Sequence, residues 1–327
     1  MNISEIAKMA GVSSSAVSRY LNHGYVSEEK KAAIQKVIEE TGYRPSAQAQ
    51  MLRTKKTKLI GVIMPKINSA SLGSVVAGIH SVLEENGYKM LLADTRNNPQ
   101  KELEYLSVFD EKQVDGVLLI ATVLTAEHRK MFKKMRVPVV LIGQHMPGMR
   151  CVYHDDYHAS LELTRLILSK GRRNIGFVSA THQDTAAGLD RYRGFCDAVK
   201  EAGLEHLAEK YVVSDFNIQA GYEAAAELFY RYQDLDALIC ATDTIASGAM
   251  KYMKERNIKI PEDIMTAGFG DSELSKVVSP TLTTMHFSYM ESGTLAAQMM
   301  VNCLSGEQEA VKGIVMDYYL VENESSR

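Results

Sequence analysis

The sequence predicts an α/β protein with a small helical head on a large body of doubly wound, parallel sheets. Three observations carry this. Residues 1–58 hold 10 Lys+Arg against 5 Asp+Glu and residues 59–327 hold 27 against 35, so a net charge of −3 divides into a head of +5 and a body of −8. Helical spacing fills the first 45 residues, and strand-length apolar runs begin to alternate with helical patterns only at residue 59. The 327 residues also exceed the roughly 150 of an average domain.

Composition narrows the class further. Apolar residues at 46% and charged residues at 24% are ordinary for a folded chain. No apolar run approaches the roughly 18 residues of a membrane span. MNISEIAKMAG lacks the cationic start and apolar core of a secretory signal, so a cytoplasmic protein is expected. Cys151, Cys196, Cys240 and Cys303 lie far apart with no CxxC pair, which fits reduced, mostly buried thiols.

In the head, taken as residues 1–45, Asn2 and Glu5 form a capping-box pattern for a first helix. Its inner face is Ile3, Ile6, Ala7 and Ala10, and Gly11 ends it. Ser13 can cap a second helix with Val17 and Leu21 inside, which Gly24 breaks. Ser27 starts a third, carrying Ile34, Val37 and Ile38 and closed by Thr41-Gly42. A helix, a tight glycine-containing turn and a second helix is the helix-turn-helix pattern. So short a unit buries little and is marginal alone. Residues 46–58 form a polar, basic connector in which Ala47, Ala49, Met51 and Leu52 permit a short helix.

The body, residues 59–327, offers strands at LIGVIM (59–64), KMLLAD (89–94), GVLLIA (116–121), PVVLIG (138–143), NIGFVS (174–179), YVVSD (211–215), DALICA (236–241) and DIMTAG (263–268). Helical patterns at 74–86, 99–112, 158–169, 190–202, 218–232 and 244–256 separate most of them. Continuous apolar runs between helices indicate parallel strands covered on both faces. Eight such units exceed one modest sheet, so two lobes are expected, with the break near Cys151–His158.

IAKMAGVSSSAVSRYLN (6–22) resembles the head of the lactose-repressor family of bacterial transcription regulators. Gly42-Tyr43-Arg44-Pro45, Leu59-Ile60-Gly61-Val62 and Pro280-x-Leu282-Thr283-Thr284 extend the likeness along nearly the whole chain. The resemblance implies a periplasmic-binding-protein-like body with an N-lobe of about 59–157 and 288–316 and a C-lobe of about 158–287 and 317–327. It also implies a homodimer on a pseudo-palindromic duplex operator, answering to a small sugar or sugar-phosphate effector, with no cofactor and no metal. The C-terminal VENESSR carries no leucine heptad, so a dimer without a tetramer-forming helix is expected.

The chemistry of the head agrees with this. Recognition helices read bases with residues near their N-terminus, here Ser14 and Ser15, with Arg19 one turn on. Arginine can pair bidentately with guanine. Asn2, Ser13, Ser18 and Asn22 are candidate phosphate contacts that fix register, although Asn2 and Ser13 are equally explained as helix caps. The family usually has Thr where Ala16 stands. In the connector, the resemblance implies a hinge helix in which Ala49 matches and Leu52 wedges into the minor groove. Ser46 and Gln50 depart from the family's Asn and Arg.

Ligands of open α/β sheets bind beyond the carboxyl ends of strands. Candidates are Lys66, Ser69, Asp94, Arg96, His182, Asp184, Arg191, Phe216, Thr242, Asp243 and Asp271, with Asp155 in the lobe crossover. The resemblance gives Arg191 as an effector-binding arginine and Phe216 as an aromatic ring packed on the sugar. Gly270 stands where the family has an acid and Lys66 adds a cation. Lys66, Arg191 and the Thr242 hydroxyl are therefore a candidate phosphate cradle, as in repressors answering to phosphorylated disaccharides of the trehalose or sucrose type. A neutral sugar is the alternative.

Enzyme readings find no support in the sequence. HDDYH (154–158) spaces two His at i and i+4 but spans a strand end and a helix start, so the pair need not share a face. Gly268-Phe269-Gly270 lacks the third glycine of a dinucleotide fingerprint, and there is neither a Walker A sequence nor a GxSxG elbow. The chain is expected not to be an enzyme. A sugar-binding protein with a silent head, or a regulator whose ligand or partner protein strengthens DNA binding, are the other readings.

Overall fold

A computed structural model describes residues 1–22, 24–43, 56–111, 114–307 and 312–327. The chain forms two compact units, Met1–Thr57 and Lys58–Arg327. Most of the expected hinge segment, with Ala49 and Leu52, lies outside the described residues.

The first unit holds helices α1 (Ile3–Met9), α2 (Ser14–Leu21) and α3 (Glu28–Thr41). Asn2 and Glu5 form the reciprocal capping box on α1, and the Ser13 hydroxyl accepts the Ala16 N–H to cap α2. Ser27 precedes α3 without a side-chain cap, and Gly42 closes it in the left-handed region at φ +62°. Ile6, Ala7, Val17, Ile34 and Val37 make its core, joined by Val12, Leu21 and Ile38.

The second unit contains two six-stranded sheets in the orders β11-β5-β4-β3-β1-β2 and β12-β10-β9-β8-β6-β7. The first sheet collects β1 (Leu59–Met64), β2 (Lys89–Asp94), β3 (Gly116–Ile120), β4 (Val139–Ile142), β5 (Arg150–His154) and β11 (Gly313–Met316). The second collects β6 (Ile175–Ser179), β7 (Tyr211–Val213), β8 (Ala237–Cys240), β9 (Met265–Phe269), β10 (Thr283–Phe287) and β12 (Tyr318–Val321). Among the described strands only β10 and β12 pair antiparallel. Helices α4 (Ala70–Glu85), α5 (Pro99–Asp110) and α6 (Ala126–Phe132) follow β1 to β3, and α7 (Asp156–Ser169), α8 (Arg191–Glu201), α9 (Ile218–Arg231), α10 (Asp243–Glu255), α11 (Glu273–Val277) and α12 (Tyr289–Ser305) complete the unit.

Continuous apolar runs place alternate residues of one strand in opposite cores. Ile60, Val62 and Met64 pack with α4 and α12, while Ile63 packs with Leu106, Phe109 and Val117 on the other face. Helices touch at glycines: a Cβ on Gly78 of α4 would lie 2.0 Å from the Met290 carbonyl, and one on Gly293 of α12 would lie 2.1 Å from that of Val75. Gly221 of α9 and Gly248 of α10 repeat this, with Cβ positions 2.3 and 2.1 Å from the Ile245 and Ile218 carbonyls.

Several elements differ from the sequence expectation. α4 begins at Ala70 rather than 74, and β5, β10, β11, β12, α6, α11 and α12 are additional. RCVYH and TTMHF interrupt their apolar runs with polar residues, and α12 buries Ser292 and Gly293 beside Ala296, Ala297, Met299 and Met300, which blurs its period. The chain passes from the first sheet to the second between β5 and α7, returns between β10 and α12, and passes again between β11 and β12.

Candidate DNA-binding surface and interlobe cleft

On α2 the helix geometry separates two roles. Ala16 and Val17 point inward, whereas Ser13, Ser14, Ser15, Arg19 and Asn22 are exposed and Ser18 is half-buried. Ser13 bonds Ser15 between hydroxyls at 2.9 Å, and the Arg19 Nε donates to the Ser15 carbonyl at 3.4 Å, so the guanidinium lies along the helix beside the serines. The Asn22 amide donates to the Ser18 carbonyl. Asn2 spends its backbone N–H and Oδ1 on Glu5, at 2.9 and 3.0 Å. The structure thus gathers Ser13, Ser14, Ser15, Ser18, Arg19 and Asn22 on one short helix, and it also uses Asn2 and Ser13 as caps.

In the body, the carboxyl ends of the two sheets meet across a cleft. Lys66, just after β1, donates to the Phe216 carbonyl at 2.8 Å and lies 5.5 Å from the Phe216 ring centre. Burial lowers the Lys66 pKa, with Asp215 opposing the shift. Around this pair is a cavity of about 530 Å³ whose lining includes Asn68, Asn97, Asp215, Asn217 and Thr244. A second cross-cleft bond joins Gln144, just after β4, to Asp184. Asp184 also accepts the Ala187 N–H, and burial pushes its carboxyl up to about 6.

Arg191 occupies the floor of the C-lobe at 5% exposure. Its Nε and Nη2 reach Asp156 at 2.7 and 2.6 Å, and Nη1 donates to the Ala241 carbonyl. Phe269 and Phe287 cover it, with ring centres 4.7 and 5.0 Å from the guanidinium carbon. Burial works against its charge, and Asp156 together with Tyr289 more than restores it, so the net shift is upward. The Thr242 hydroxyl caps α10 by accepting the Ile245 N–H at 3.2 Å. In this conformation Arg191 and Thr242 are therefore engaged within the C-lobe while Lys66 is engaged with Phe216, and the three do not form one phosphate cradle.

The remaining candidates sort by partner. Asp243 accepts from the Thr284 hydroxyl at 2.6 Å and the Ser272 N–H at 2.8 Å, so both oxygens pin α10 to the ends of β9 and β10. A Cβ at Gly268 would sit 2.7 Å from that carboxylate, and Gly270 lies at φ +135°, a conformation glycine adopts readily. Asp271 pairs with His286 at 2.8 Å. Asp155 caps α7 and holds His158 at 2.7 Å. Asp94 accepts the Arg96 N–H, with Arg96 exposed at φ +54°. The Ser69 hydroxyl bonds that of Ser71. His182 stacks on Tyr192 and Tyr211.

The histidines of HDDYH part company: His154 is buried against Phe287 and Tyr289, whereas His158 serves Asp155. Among the described residues no cluster of three or more His, Cys, Asp or Glu is arranged for a metal, and no helix is long and apolar enough to cross a membrane. Gln144 and Asp156 were not singled out by sequence. Asp156 adjoins Asp155: the first acid of the pair stands where a helix cap belongs, which leaves the second for another partner without naming it.

The fold is a two-lobed, two-sheet body with a helix-turn-helix head, the architecture of a bacterial transcription regulator. Residues 2–46 match "Bacterial regulatory proteins, lacI family" and residues 164–326 match the "Periplasmic binding protein-like domain". The sucrose operon repressor of Staphylococcus xylosus is 33% identical over 97% of both chains. A LacI-family transcriptional regulator from Silicibacter pomeroyi superposes with a TM-score of 0.85 at 27% identity, covering 100% of this chain and 99% of that one. The lac repressor dimer bound to operator and the anti-inducer ONPF shares the fold, with a TM-score of 0.90 at 18% identity over 100% and 99% of the chains. The chain belongs to the lacI family and is a DNA-binding transcriptional repressor of that family.

Proposed function

We propose that the protein represses a carbohydrate-utilisation operon. A homodimer holds a pseudo-palindromic operator, because two-fold protein symmetry matches a two-fold site. Ser14, Ser15 and Arg19 read bases, and Asn2, Ser13, Ser18 and Asn22 fix register on phosphates. Ala49 and Leu52 belong to the hinge that completes this contact. A small sugar enters between the lobes, shifts their balance and weakens operator binding. By linkage, the operator then weakens sugar binding by the same factor.

The observation that carries this reading is the lining of the cleft. Asn68, Asn97, Asp215, Asn217 and Thr244 offer amide, carboxylate and hydroxyl groups to sugar hydroxyls, beside the Phe216 ring and Lys66. Gln144 and Asp184 supply further polar groups. The charge of Lys66 is opposed by Asp215 and that of Arg191 by Asp156, which favours a neutral sugar. The second reading, a disaccharide 6-phosphate, rests on Lys66, the cation at the cavity.

A thermal-shift screen of the purified protein against free sugars and their 6-phosphates tests both. A ligand of the native state raises the melting temperature by mass action. A shift with the free sugar supports the first reading, and a shift confined to the phosphate supports the second. Silence across both sets removes the sugar assignment. Fluorescence anisotropy on operator DNA then gives the sign of the response: release supports induction, and tightening supports corepression.

A further inference from the structure

The body carries a basic face away from the interlobe cleft. In the first sheet, Lys133, Lys134 and Arg136 follow α6 and lead into β4, Arg150 opens β5, and Lys312 immediately precedes β11. Strand pairing brings them together, since β5 lies between β4 and β11 and the Lys312 carbonyl accepts the Cys151 N–H at 2.8 Å. Lys133, Lys134, Arg136 and Lys312 are exposed and Arg150 is half-buried. Among the described residues, the one carboxylate paired with any of them is Asp110, which lies 3.3 Å from Arg136. Arg136 and Arg150 also line a groove of about 310 Å³ whose remaining lining is mainly apolar, with Met135, Val137, Pro138 and Met149 half-buried in it. Such a concentration runs against the body's charge of −8. The strands here are parallel, so this is also the end at which β1 begins, at Leu59, directly after the connector.

We propose that this face is a second, sequence-independent contact with duplex DNA, holding backbone phosphates. Phosphate contacts need only cations, whereas protein partners are anchored mainly by Trp, Tyr and Arg side chains seated in well-packed, desolvated pockets. No large apolar side chain between residues 127 and 150 is exposed, and in β11 Val315, three residues beyond Lys312, is exposed. Four of the five cations have no carboxylate partner among the described residues, and a largely unpaired, exposed cluster suits the repeated charge of a phosphate backbone. The body then adds affinity for any DNA, and the head adds the choice of site.

The test measures affinity of the full-length protein for a mixed-sequence duplex across a salt series. It compares the parent, Lys133→Ala/Lys134→Ala/Arg150→Ala, and a charge-matched control, Lys200→Ala/Lys254→Ala/Lys259→Ala, in the C-lobe. Arg136 is kept because it holds Asp110. Each lost phosphate contact lowers the log–log salt slope by about 0.9, so the first variant should lose about two to three and the control less than one. Lys133→Arg/Lys134→Arg/Arg150→Lys should restore the parent slope. Arg19→Ala, which tests the head, should relax base preference and retain most of this slope, so the two contacts fail separately. Superimposable slopes for the first variant and the control overturn the proposal. So does an unchanged slope combined with loss of an acidic protein partner, which would assign the face to protein instead.

Discussion

Gln144 of the N-lobe donates to Asp184 of the C-lobe at 2.7 Å, and each is only 4% exposed. The cleft is thus bridged by a buried amide–carboxyl bond as well as by Lys66 and Phe216. Burial at Asp184 has a thermodynamic signature. Its pKa rises from 3.8 to about 6, so the folded state holds the proton more tightly than the unfolded chain. The stability this contributes is complete below about pH 4 and lost as pH rises through about 6. Asp184→Asn should remove that slope. The unfolding free energy of the parent relative to the variant should fall by about 3 kcal/mol between pH 4 and 7, at about 1.36 kcal/mol per unit. A flat difference across that window in urea melts contradicts it.

Arg191 and Asp156 form a buried ion pair, at 6% and 5% side-chain exposure. Removing one partner leaves an uncompensated buried charge, a loss of about 3–5 kcal/mol. Asp156→Ala should therefore cost far more in denaturant unfolding than Asp155→Ala, which loses a cap worth about 1 kcal/mol. Equal losses would mean that Arg191 draws its support from elsewhere.

Two glycines of one helix should respond with opposite sign. Gly73 of α4 has open space around its Cβ position, whereas at Gly78 a Cβ would meet the Met290 carbonyl at 2.0 Å. Gly73→Ala should gain up to about 1 kcal/mol from helix propensity. Gly78→Ala should be destabilising despite the same propensity gain, because backbone must move. Thermal melts of the two single variants decide this, and stabilisation of both would contradict the close helix contact.

Arg19→Ala should weaken binding to the cognate operator by about 1–3 kcal/mol and broaden base preference. Selection from a random duplex library, before and after substitution, checks it. An unchanged selected sequence would remove Arg19 from base reading.

The sequence exposes most of this architecture because parallel strands buried on both faces announce themselves. LIGVIM and GVLLIA are unbroken apolar runs, and they lie at β1 and β3. Strands that mix polar and apolar residues stayed hidden, as at TTMHF, whose Thr283 and Thr284 are buried yet bonded to Ser325, Ser326, Asn323 and Asp243. The cleft was legible as a place, because strand ends can be counted. Its pairings were not, since neither Gln144 nor Asp156 carries a local pattern that says which distant residue it meets. Asp243 shows the limit most clearly: a strand-end acid is a fair ligand candidate until Thr284 and the Ser272 N–H are seen to occupy both oxygens.

The contact between α4 and α12 joins residues more than 200 positions apart, with Gly78 against Met290 and Gly293 against Val75. During synthesis, residues 59–154 emerge with most strands of the first sheet, but the face that α4 shares with α12 stays only partly covered until α12 leaves the ribosome, and the edge strand β11 follows later still. The N-lobe core can close only after nearly the entire C-lobe has been made. A chain cut short between the first body strands and residue 289 carries a finished head and an unfinished N-lobe, which exposes apolar surface for chaperones and proteases to recognise. Quality control of the regulator is therefore tied to residues 289–316, which follow nearly all of the C-lobe in the chain.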